Sequence, residues 1–198
     1  MVKHETRNAK GVLVAQHVRI IRKTRDESLL EGLTPAQRDI VASHILPSTW
    51  YPYEIYERTL DIIFNKLSGR RPEAARAMGQ FMACEMLLGS YSMYLKKGDP
   101  VATLARFPLI WKNYFNFARV SFRAPCETEN EKPVNVIEVA VDDFSDLPYP
   151  LFLIIQGFGE KALELAGAVQ PVVREDEGWR PGQPCYMSRI EWQKVISP

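Results

Sequence analysis

The chain has 198 residues, of which 46% are hydrophobic and 25% are charged, and its formal charge is +1. This composition is typical of a globular protein that buries one sizeable core or two small ones. The near balance of basic and acidic residues excludes a general nucleic-acid binder, because phosphate contacts need a basic excess or a basic face.

Compartment and membrane association are also constrained by the sequence. No apolar run approaches the roughly 18 residues of a membrane span, and residues 1–10 lack the apolar core of a secretory signal. The three cysteines, Cys84, Cys126 and Cys185, are widely spaced and match neither a disulfide framework nor a zinc site. We therefore expect a reduced, cytoplasmic chain without a bound metal.

The first segment of the chain is ambiguous and the second is well marked. Val12–Ala15 is apolar and Arg19–Arg25 is basic, which fits a short strand followed by a helix as well as it fits one helix. Thr34–Gln37 then supplies an N-cap hydroxyl, a proline at the first helical position and the glutamine of a capping box. We expect Pro47 to end this helix, because proline disfavours helical geometry at the preceding residue.

Three more helical segments are predicted from apolar residues at helical spacing. They are Trp50–Leu67, Pro72–Leu88 and Ala102–Phe117. The second has apolar residues on more than one face, which indicates a central position. Asp99 is placed to cap the third, which is one helix or two around Pro108.

After residue 117 the hydrophobic period changes to two, which is typical of half-solvated strands. A polar turn is predicted at Glu127–Lys132, between the first two strands. The predicted strands lie at 118–123, Val134–Val141, Val172–Val173 and Cys185–Trp192, and a helix runs from Pro150 to a stop at Gly167.

This order predicts an α+β fold in which an N-terminal helical subdomain packs on a four-stranded antiparallel sheet, arranged β-β-α-β-β. Because no long linker interrupts the chain, we expect one domain over residues 11–198. Its helical half would span 11–116 and its sheet half 117–193, with residues 1–10 as a flexible N-terminal arm.

Several local phrases carry a family resemblance. They are Trp50-Tyr51-Pro52, Glu73–Gly79, Pro108–Phe117 and Cys185–Trp192. With the layout above, they resemble the bacterial sensory domains grouped as 4-vinyl-reductase-like and heme-nitric-oxide-binding domains, and in particular the myxobacterial family DUF2378. The resemblance covers roughly residues 10 to 193. It implies a commonly dimeric domain with an internal ligand cavity and no catalysis.

The chain differs from the heme-binding members of this group at the residues that hold their cofactor. Heme-binding relatives carry an axial histidine on a central helix and a Tyr-x-Ser-x-Arg motif for the propionates. Here the histidines are His4, His17 and His44, all before the central helices, and Tyr91-Ser92-Met93-Tyr94 is not followed by the arginine. We therefore expect no heme and no other cofactor.

The aromatic and methionine residues suggest a ligand site. At helical spacing they could wall an apolar pocket or simply fill a core, and the pattern leaves both open. Cys84 is interpreted in the same two ways, as a small core residue or as a thiol that contacts a ligand or carries a lipid. The predicted ligand-binding residues are Met78, Phe81, Cys84, Trp111, Tyr114 and Phe115.

Other candidate groups are weaker. Cys185 shares a strand face with Arg189, and a basic neighbour could lower its pKa, but a surface or half-buried packing residue is the favoured interpretation. The basic residues Arg19–Arg25 and Arg70-Arg71 could contact an anionic ligand or partner, or form a solvated face. Asp142, Asp143 and Asp146 are interpreted as a solvated strand end followed by a helix cap.

Two functional hypotheses follow. Phosphate-binding loops, dinucleotide fingerprints, nucleophile elbows and zinc-protease motifs are all missing, which favours a non-enzymatic protein. The first hypothesis is a cytoplasmic sensory or regulatory module that binds a small apolar, amphipathic or acyl ligand, without heme, in an internal pocket between the helical half and the sheet. It would signal to a protein partner as a homodimer. The alternative is a ligand-free structural protein that acts by homo-oligomerisation or scaffolding, through a sheet face carrying Arg119, Arg123, Arg189 and Glu191.

Overall fold

The computed structural model describes residues 6–124, 127–129, 132–174, 179–193 and 195. These residues form two compact units. The first comprises the described residues up to Arg71 together with Lys112–Phe117, and the second comprises Pro72–Trp111 and the described residues from Ala118 onward. The helices of Pro72–Trp111 thus belong with the sheet, which the division into a helical half and a sheet half did not foresee. The prediction of one domain over residues 11–198 stays a prediction.

The first unit is mainly helical with a small two-stranded sheet. Its elements are β1 (Asn8–Lys10), α1 (Gly11–Thr24), a 3₁₀ turn (Glu27–Leu30), α2 (Pro35–Ala42), β2 (Trp50–Pro52), α3 (Tyr53–Ile62) and a π-helical turn (Ile63–Leu67). The run Val12–Ala15 is therefore helical, which resolves the ambiguity of the first segment. Leu13, Val14, Ile55 and Leu60 are among its fully buried side chains.

Strands β1 and β2 correct two predictions. Asn8 pairs with Pro52 and Lys10 with Trp50 in an antiparallel register. Residues 8–10 are therefore part of a sheet, not of a flexible arm, and residues 1–5 lie outside the described residues. Trp50–Pro52 is extended, not helical, because residues before a proline avoid helical geometry; α3 begins at Tyr53.

Helix α2 begins as predicted and ends early. The Thr34 hydroxyl accepts from the Gln37 backbone N–H, and the Gln37 side chain accepts from the Thr34 N–H, which completes the capping box. The helix ends at Ala42, not near Pro47. The guanidinium of Arg22 donates to the carbonyls of Val41 and Ser43, and so takes acceptors that a longer helix would use internally.

The second unit combines helices with an antiparallel sheet. Its elements are α4 (Pro72–Leu87), a 3₁₀ turn (Ser92–Tyr94), α5 (Pro100–Leu104), most of α6 (Phe107–Tyr114), β3 (Arg119–Arg123), β4 (Glu127–Glu129), β5 (Lys132–Asp142), α7 (Tyr149–Leu165), β6 (Val172–Arg174) and β7 (Cys185–Trp192). The segment around Pro108 thus forms two helices, and the Asp99 side chain caps α5 by accepting from the Ala102 N–H at 2.8 Å.

The sheet order is β3-β5-β7-β6, with every pairing antiparallel. The predicted α+β class and its β-β-α-β-β arrangement are confirmed. The polar segment at 127–132 is not a simple turn, because β4 pairs back on β5. Arg119 of β3 lies opposite Asp142 of β5, and Asp142 lies opposite Cys185 of β7.

Helix α7 is the centre of the second unit. Every residue from Pro150 to Gly159 is buried, because α4 covers one side of the helix and β7 the other. Gly159 lies against Ile190 of β7, and Phe152 lies 6.4 Å, ring to ring, from Tyr186. The layers of this unit are therefore the sheet, α7 and α4.

None of the described helices combines the length and the apolar character that a bilayer span requires.

Candidate functional site

The six predicted ligand-binding residues are divided between the two units. Met78, Phe81 and Cys84 lie on α4, and Trp111 lies on α6; these four belong to the second unit. Tyr114 and Phe115 belong to the first unit. The structure thus groups the predicted residues into separate local environments.

Helix α4 differs from the prediction in which of its side chains are buried. Phe81 is 57% exposed and Leu88, just after the helix, is 62% exposed, so neither side chain fills a core. Small residues such as Ala75, Gly79 and Ala83 face inward instead, since the helix lies very close to α7. Met78 and Cys84 are half-buried on the same helix.

Trp111 lies in the core of the second unit. Its side chain is buried, and its ring contacts Phe107 edge to face with centroids 6.4 Å apart. Phe107 in turn lies 4.9 Å from the ring of Phe158 on α7. These contacts are those of a packed aromatic core.

Phe115 belongs to an aromatic cluster in the first unit. Its ring lies 5.4 Å from that of Tyr56, 6.2 Å from that of Tyr53 and 5.7 Å from that of Phe117. Tyr53 and Phe117 are themselves 4.9 Å apart. Because the rings are in direct contact, they fill the space between them, and Phe115 is buried. Tyr114, the preceding residue, is half-buried.

His17 extends this aromatic cluster on α1. Its imidazole stacks on Tyr56 at 4.8 Å, and its Nδ1 lies 3.0 Å from the Thr59 hydroxyl. Burial lowers the pKa of His17 to about 4, against a smaller raising effect of a backbone hydrogen bond to Tyr56. The ring is therefore neutral at physiological pH. The sequence indicated an ordinary histidine, and only the fold reveals that Thr59 is its partner.

The environment of Cys185 raises the pKa of its thiol, which fits a half-buried packing residue and not a reactive thiol. Partial burial, and then the hydrogen bond and charge of Asp142, raise the pKa of this thiol to about 11; Arg123 opposes the shift more weakly. Cys185 is thus an inert thiol at physiological pH. Cys126 lies outside the described residues.

Cys84 lies near the amine of Lys161 on α7, close enough for an electrostatic interaction. The ammonium of Lys161 also pairs with Glu164 at 2.8 Å. Within the described ranges, no group of three His, Cys, Asp or Glu side chains is arranged to hold a metal ion. Asp143, from the acidic run after β5, pairs with Arg119 at 2.9 Å.

No family model matches the chain, and no curated protein matches it. Among solved structures it is similar to H-NOX proteins at low sequence identity. A mutant H-NOX from T. Tengcongensis is 14% identical over 94% of this chain and 99% of that chain, with a TM-score of 0.60. An H-NOX from S. oneidensis in the Fe(II) ligation state is 15% identical over 94% and 97%, with a TM-score of 0.62.

A third similar structure is a mutant H-NOX from K. algicida, described as Fe(II) unliganded. It is 11% identical over 93% of this chain and 97% of that chain, with a TM-score of 0.56. These similarities support the resemblance to heme-nitric-oxide-binding domains, whereas the finer resemblance to DUF2378 and to 4-vinyl-reductase-like domains stays a prediction. The chain has the H-NOX fold.

Proposed function

We propose that the chain is a non-enzymatic, cytoplasmic sensory or regulatory module that binds a small apolar or amphipathic ligand and does so without heme. The observation that carries this proposal is the similarity to H-NOX structures over 93–96% of the chain, from its N-terminal helices to its sheet. Fold alone is an analogy, so the ligand must be argued from this chain's own residues.

Heme is the first ligand to test, because one similar structure concerns heme distortion in the H-NOX family. The residues present do not fit it. Of the histidines in the described part of the chain, His17 is 3% exposed, with one ring face on Tyr56 and its Nδ1 on Thr59. His44 lies exposed after α2, and α4 and α7 contain no histidine. An axial ligand on a central helix is therefore missing.

The predicted ligand residues differ in how a ligand could reach them. Phe81 is exposed, and Met78 and Cys84 are half-buried beside it on α4, so these three offer apolar surface directly. Trp111 and Phe115 are buried among other rings. We infer that the α4 residues contact the ligand, while Trp111 supports the aromatic packing of the second unit and Phe115 that of the first. Binding would alter function only if the ligand prefers one of two conformations.

Native and denaturing mass spectra of freshly purified protein, with an absorbance scan of the same sample, test this function. We expect a mass that is present in the native spectrum and lost on denaturation, and no Soret band. A Soret band would overturn the heme-free proposal. A mass retained after denaturation would indicate a covalent adduct, for which Cys84 is the first position to map.

Substitution of Phe81 tests whether the ligand binds at α4. Phe81→Ala should lower ligand occupancy about tenfold, the effect of roughly 1.4 kcal/mol of lost apolar contact, with a small change in stability because the side chain is already exposed. Leu109→Ala is the matched control, since Leu109 is a similarly exposed apolar residue on α6, away from α4 in the chain. Equal occupancy in the two variants would contradict a site on this part of α4.

A second candidate function is favoured by exposed apolar side chains. Leu88 and Met93 are 62% and 68% exposed, and large apolar side chains on the surface suit a protein contact. A ligand-free interaction protein, acting as a homo-oligomer, would account for them. Bare polypeptide mass in a stable oligomer would favour this function. The sheet face suggested by the sequence is less suited, because Arg123 pairs with Glu138 and Arg189 with Glu191 within it.

A further inference from the structure

A groove with a strongly basic lining crosses the surface of the first unit. It has a volume of about 530 Å³ and lies between the C-terminal half of α1 and the segment after α2. Its cationic lining residues are Arg19, Arg22, Lys23 and Arg25, with His44 on the opposite side. We call this feature the basic groove. Its volume falls in the range of clefts that bind drug-sized molecules, roughly 300–1,000 Å³.

Three of the four basic side chains in the groove have no partner in the described part of the chain. Arg22 is structural, because its guanidinium donates to the carbonyls of Val41 and Ser43. Over the described ranges of the chain, the side chains of Arg19, Lys23 and Arg25 make no ion pair or hydrogen bond, and no acidic side chain lines the basic groove. The whole chain has a formal charge of only +1, so three uncompensated cations around one concavity are a local feature.

The backbone at Arg25 is a separate observation. This residue follows the last turn of α1 in the left-handed conformation, with φ at 55°, and its N–H bonds to the Arg22 carbonyl. Glycine is the usual residue at this position, because a Cβ is sterically disfavoured there. The chain thus places an arginine at the edge of the groove where helix termination alone would favour glycine.

The remaining lining residues are apolar. Half-buried Ala15 lies at its apolar side, and the buried side chains of Val18 on α1 and Ile45 after α2 form its floor. A ligand that matches it carries an anionic group at one end and an apolar body at the other. Phosphate suits several cations better than carboxylate does, since its oxygens can accept from more than one side chain at once and its charge approaches −2.

We propose that the basic groove binds a small organic phosphate, with its phosphate on Arg19, Lys23 and Arg25 and its apolar part on Ala15 and the aliphatic stems of the basic side chains. The phosphate could belong to a soluble metabolite or to a lipid headgroup, which share this chemistry. The site uses none of the residues assigned to the ligand under the proposed function, and it stands or falls independently of them.

The test is a titration of the full-length, ¹⁵N-labelled protein with hexyl phosphate at low salt, followed by backbone amide shifts, with inorganic phosphate in parallel. Saturable shifts should appear in residues 15–25 and 41–46. Hexyl phosphate should bind about tenfold more tightly than inorganic phosphate, because part of its chain is buried on the apolar lining. A lack of saturable shifts with either probe would overturn the proposal.

Two variants and one control test whether hexyl phosphate binds in the basic groove. The triple variant Arg19→Ala, Lys23→Ala, Arg25→Ala should weaken hexyl phosphate binding at least tenfold. Arg25→Gly should weaken it several-fold while folding at least as stably, since glycine suits the left-handed backbone. The control Arg58→Ala, Lys96→Ala, Lys97→Ala also removes three exposed positive charges, all of them outside the groove, and should change binding less than twofold.

The results of these experiments distinguish the proposed phosphate site from general electrostatic attraction and from a site for an acidic protein. Equal weakening in the triple variant and in its control would reduce the binding to general electrostatics and overturn the site. Binding of polyglutamate without binding of hexyl phosphate would also overturn it, in favour of an acidic protein partner. Sedimentation with phosphatidylcholine vesicles that contain phosphatidic acid, reversed by hexyl phosphate, would identify a lipid headgroup as the source. Hexyl phosphate binding without sedimentation would identify a soluble phosphate.

Discussion

Gly79 on α4 and Gly157 on α7 lie at a reciprocal close contact between the two helices. A Cβ on Gly79 would lie 2.0 Å from the carbonyl oxygen of Ile154, and a Cβ on Gly157 would lie 2.0 Å from that of Arg76. Each glycine therefore makes room for the backbone of the other helix. This contact decides which side of α4 faces inward and explains why Phe81, a larger apolar residue of the same helix, is exposed.

Alanine at either glycine should force α4 and α7 apart. Because the obstructing atoms are backbone, the clash cannot be relieved by a side-chain rotation, and we expect Gly79→Ala and Gly157→Ala each to cost about 3 kcal/mol of unfolding free energy. Urea denaturation measures this. Gly32→Ala is the control, because a Cβ there meets nothing within 4 Å, and it should change stability by less than about 0.5 kcal/mol. Small losses in both helix variants would contradict the close contact.

Local signals predicted the parts of the fold that depend on neighbours in sequence. The Thr34 capping box and the Asp99 cap are formed as expected, because each involves residues three positions apart. Strands β3, β5, β6 and β7 were also predicted, and β3 and β7 show the alternating burial of strands with one face in a core. Strand β4 lies where a polar turn was expected.

The predictions that were wrong concern features that depend on contacts between residues distant in sequence. Strand β2 needs its partner β1, about 40 residues earlier, and α2 stops where Arg22 takes its carbonyls. The exposure of Phe81 depends on the glycine contact with α7, whereas hydrophobicity alone favoured its burial. The basic run Arg19–Arg25 was visible in the sequence, but its place on a concave surface with Ile45 was not. Contacts of this kind require the tertiary structure.

A buried hydroxyl without a hydrogen bond offers a second stability test. Ser188 on β7 is 3% exposed, and its Oγ has no hydrogen-bond partner among the described residues. Such a group loses its water on folding and gains nothing in return. Ser188→Ala should therefore raise the unfolding free energy by about 1 kcal/mol.

Urea denaturation of Ser188→Ala should be compared with that of Ser121→Ala, which removes an exposed hydroxyl from β3 of the same sheet. The control should change stability by less than about 0.5 kcal/mol. A loss of stability in Ser188→Ala would mean that the hydroxyl has a partner, such as an ordered water.

The raised pKa of Cys185 predicts slow thiol chemistry. With a pKa of about 11, only about one thiol in a thousand is ionised at pH 8, and the thiolate is the nucleophile. Alkylation by iodoacetamide, followed at Cys185 by peptide mass spectrometry, should remain slow until the pH approaches 11. Asp142→Asn removes the second-largest cause of the shift and should increase the rate at pH 8. An unchanged rate would leave burial as the sole cause.

Buried His17 should make the protein acid-sensitive. Its pKa is lowered from 6.5 to about 4 by burial, so between these values the unfolded chain binds a proton that the folded chain does not. The contribution of neutral His17 to the unfolding free energy is therefore fully present above pH 6.5 and is lost as the pH falls toward 4. The difference amounts to about 3 kcal/mol, at roughly 1.4 kcal/mol per pKa unit.

Urea denaturation at pH 7 and at pH 4, on the wild type and on His17→Asn, measures this contribution. Asparagine keeps a polar group near the Thr59 hydroxyl but does not titrate, so the variant should be less stable at pH 7 and should lose about 3 kcal/mol less on acidification. Carboxylates such as Glu191, whose pKa is lowered by hydrogen bonds from Arg174 and Arg189 that outweigh its desolvation, contribute equally to both proteins and cancel in the comparison. Equal pH dependence in the two proteins would show that the imidazole is already protonated, or hydrated, in the folded state.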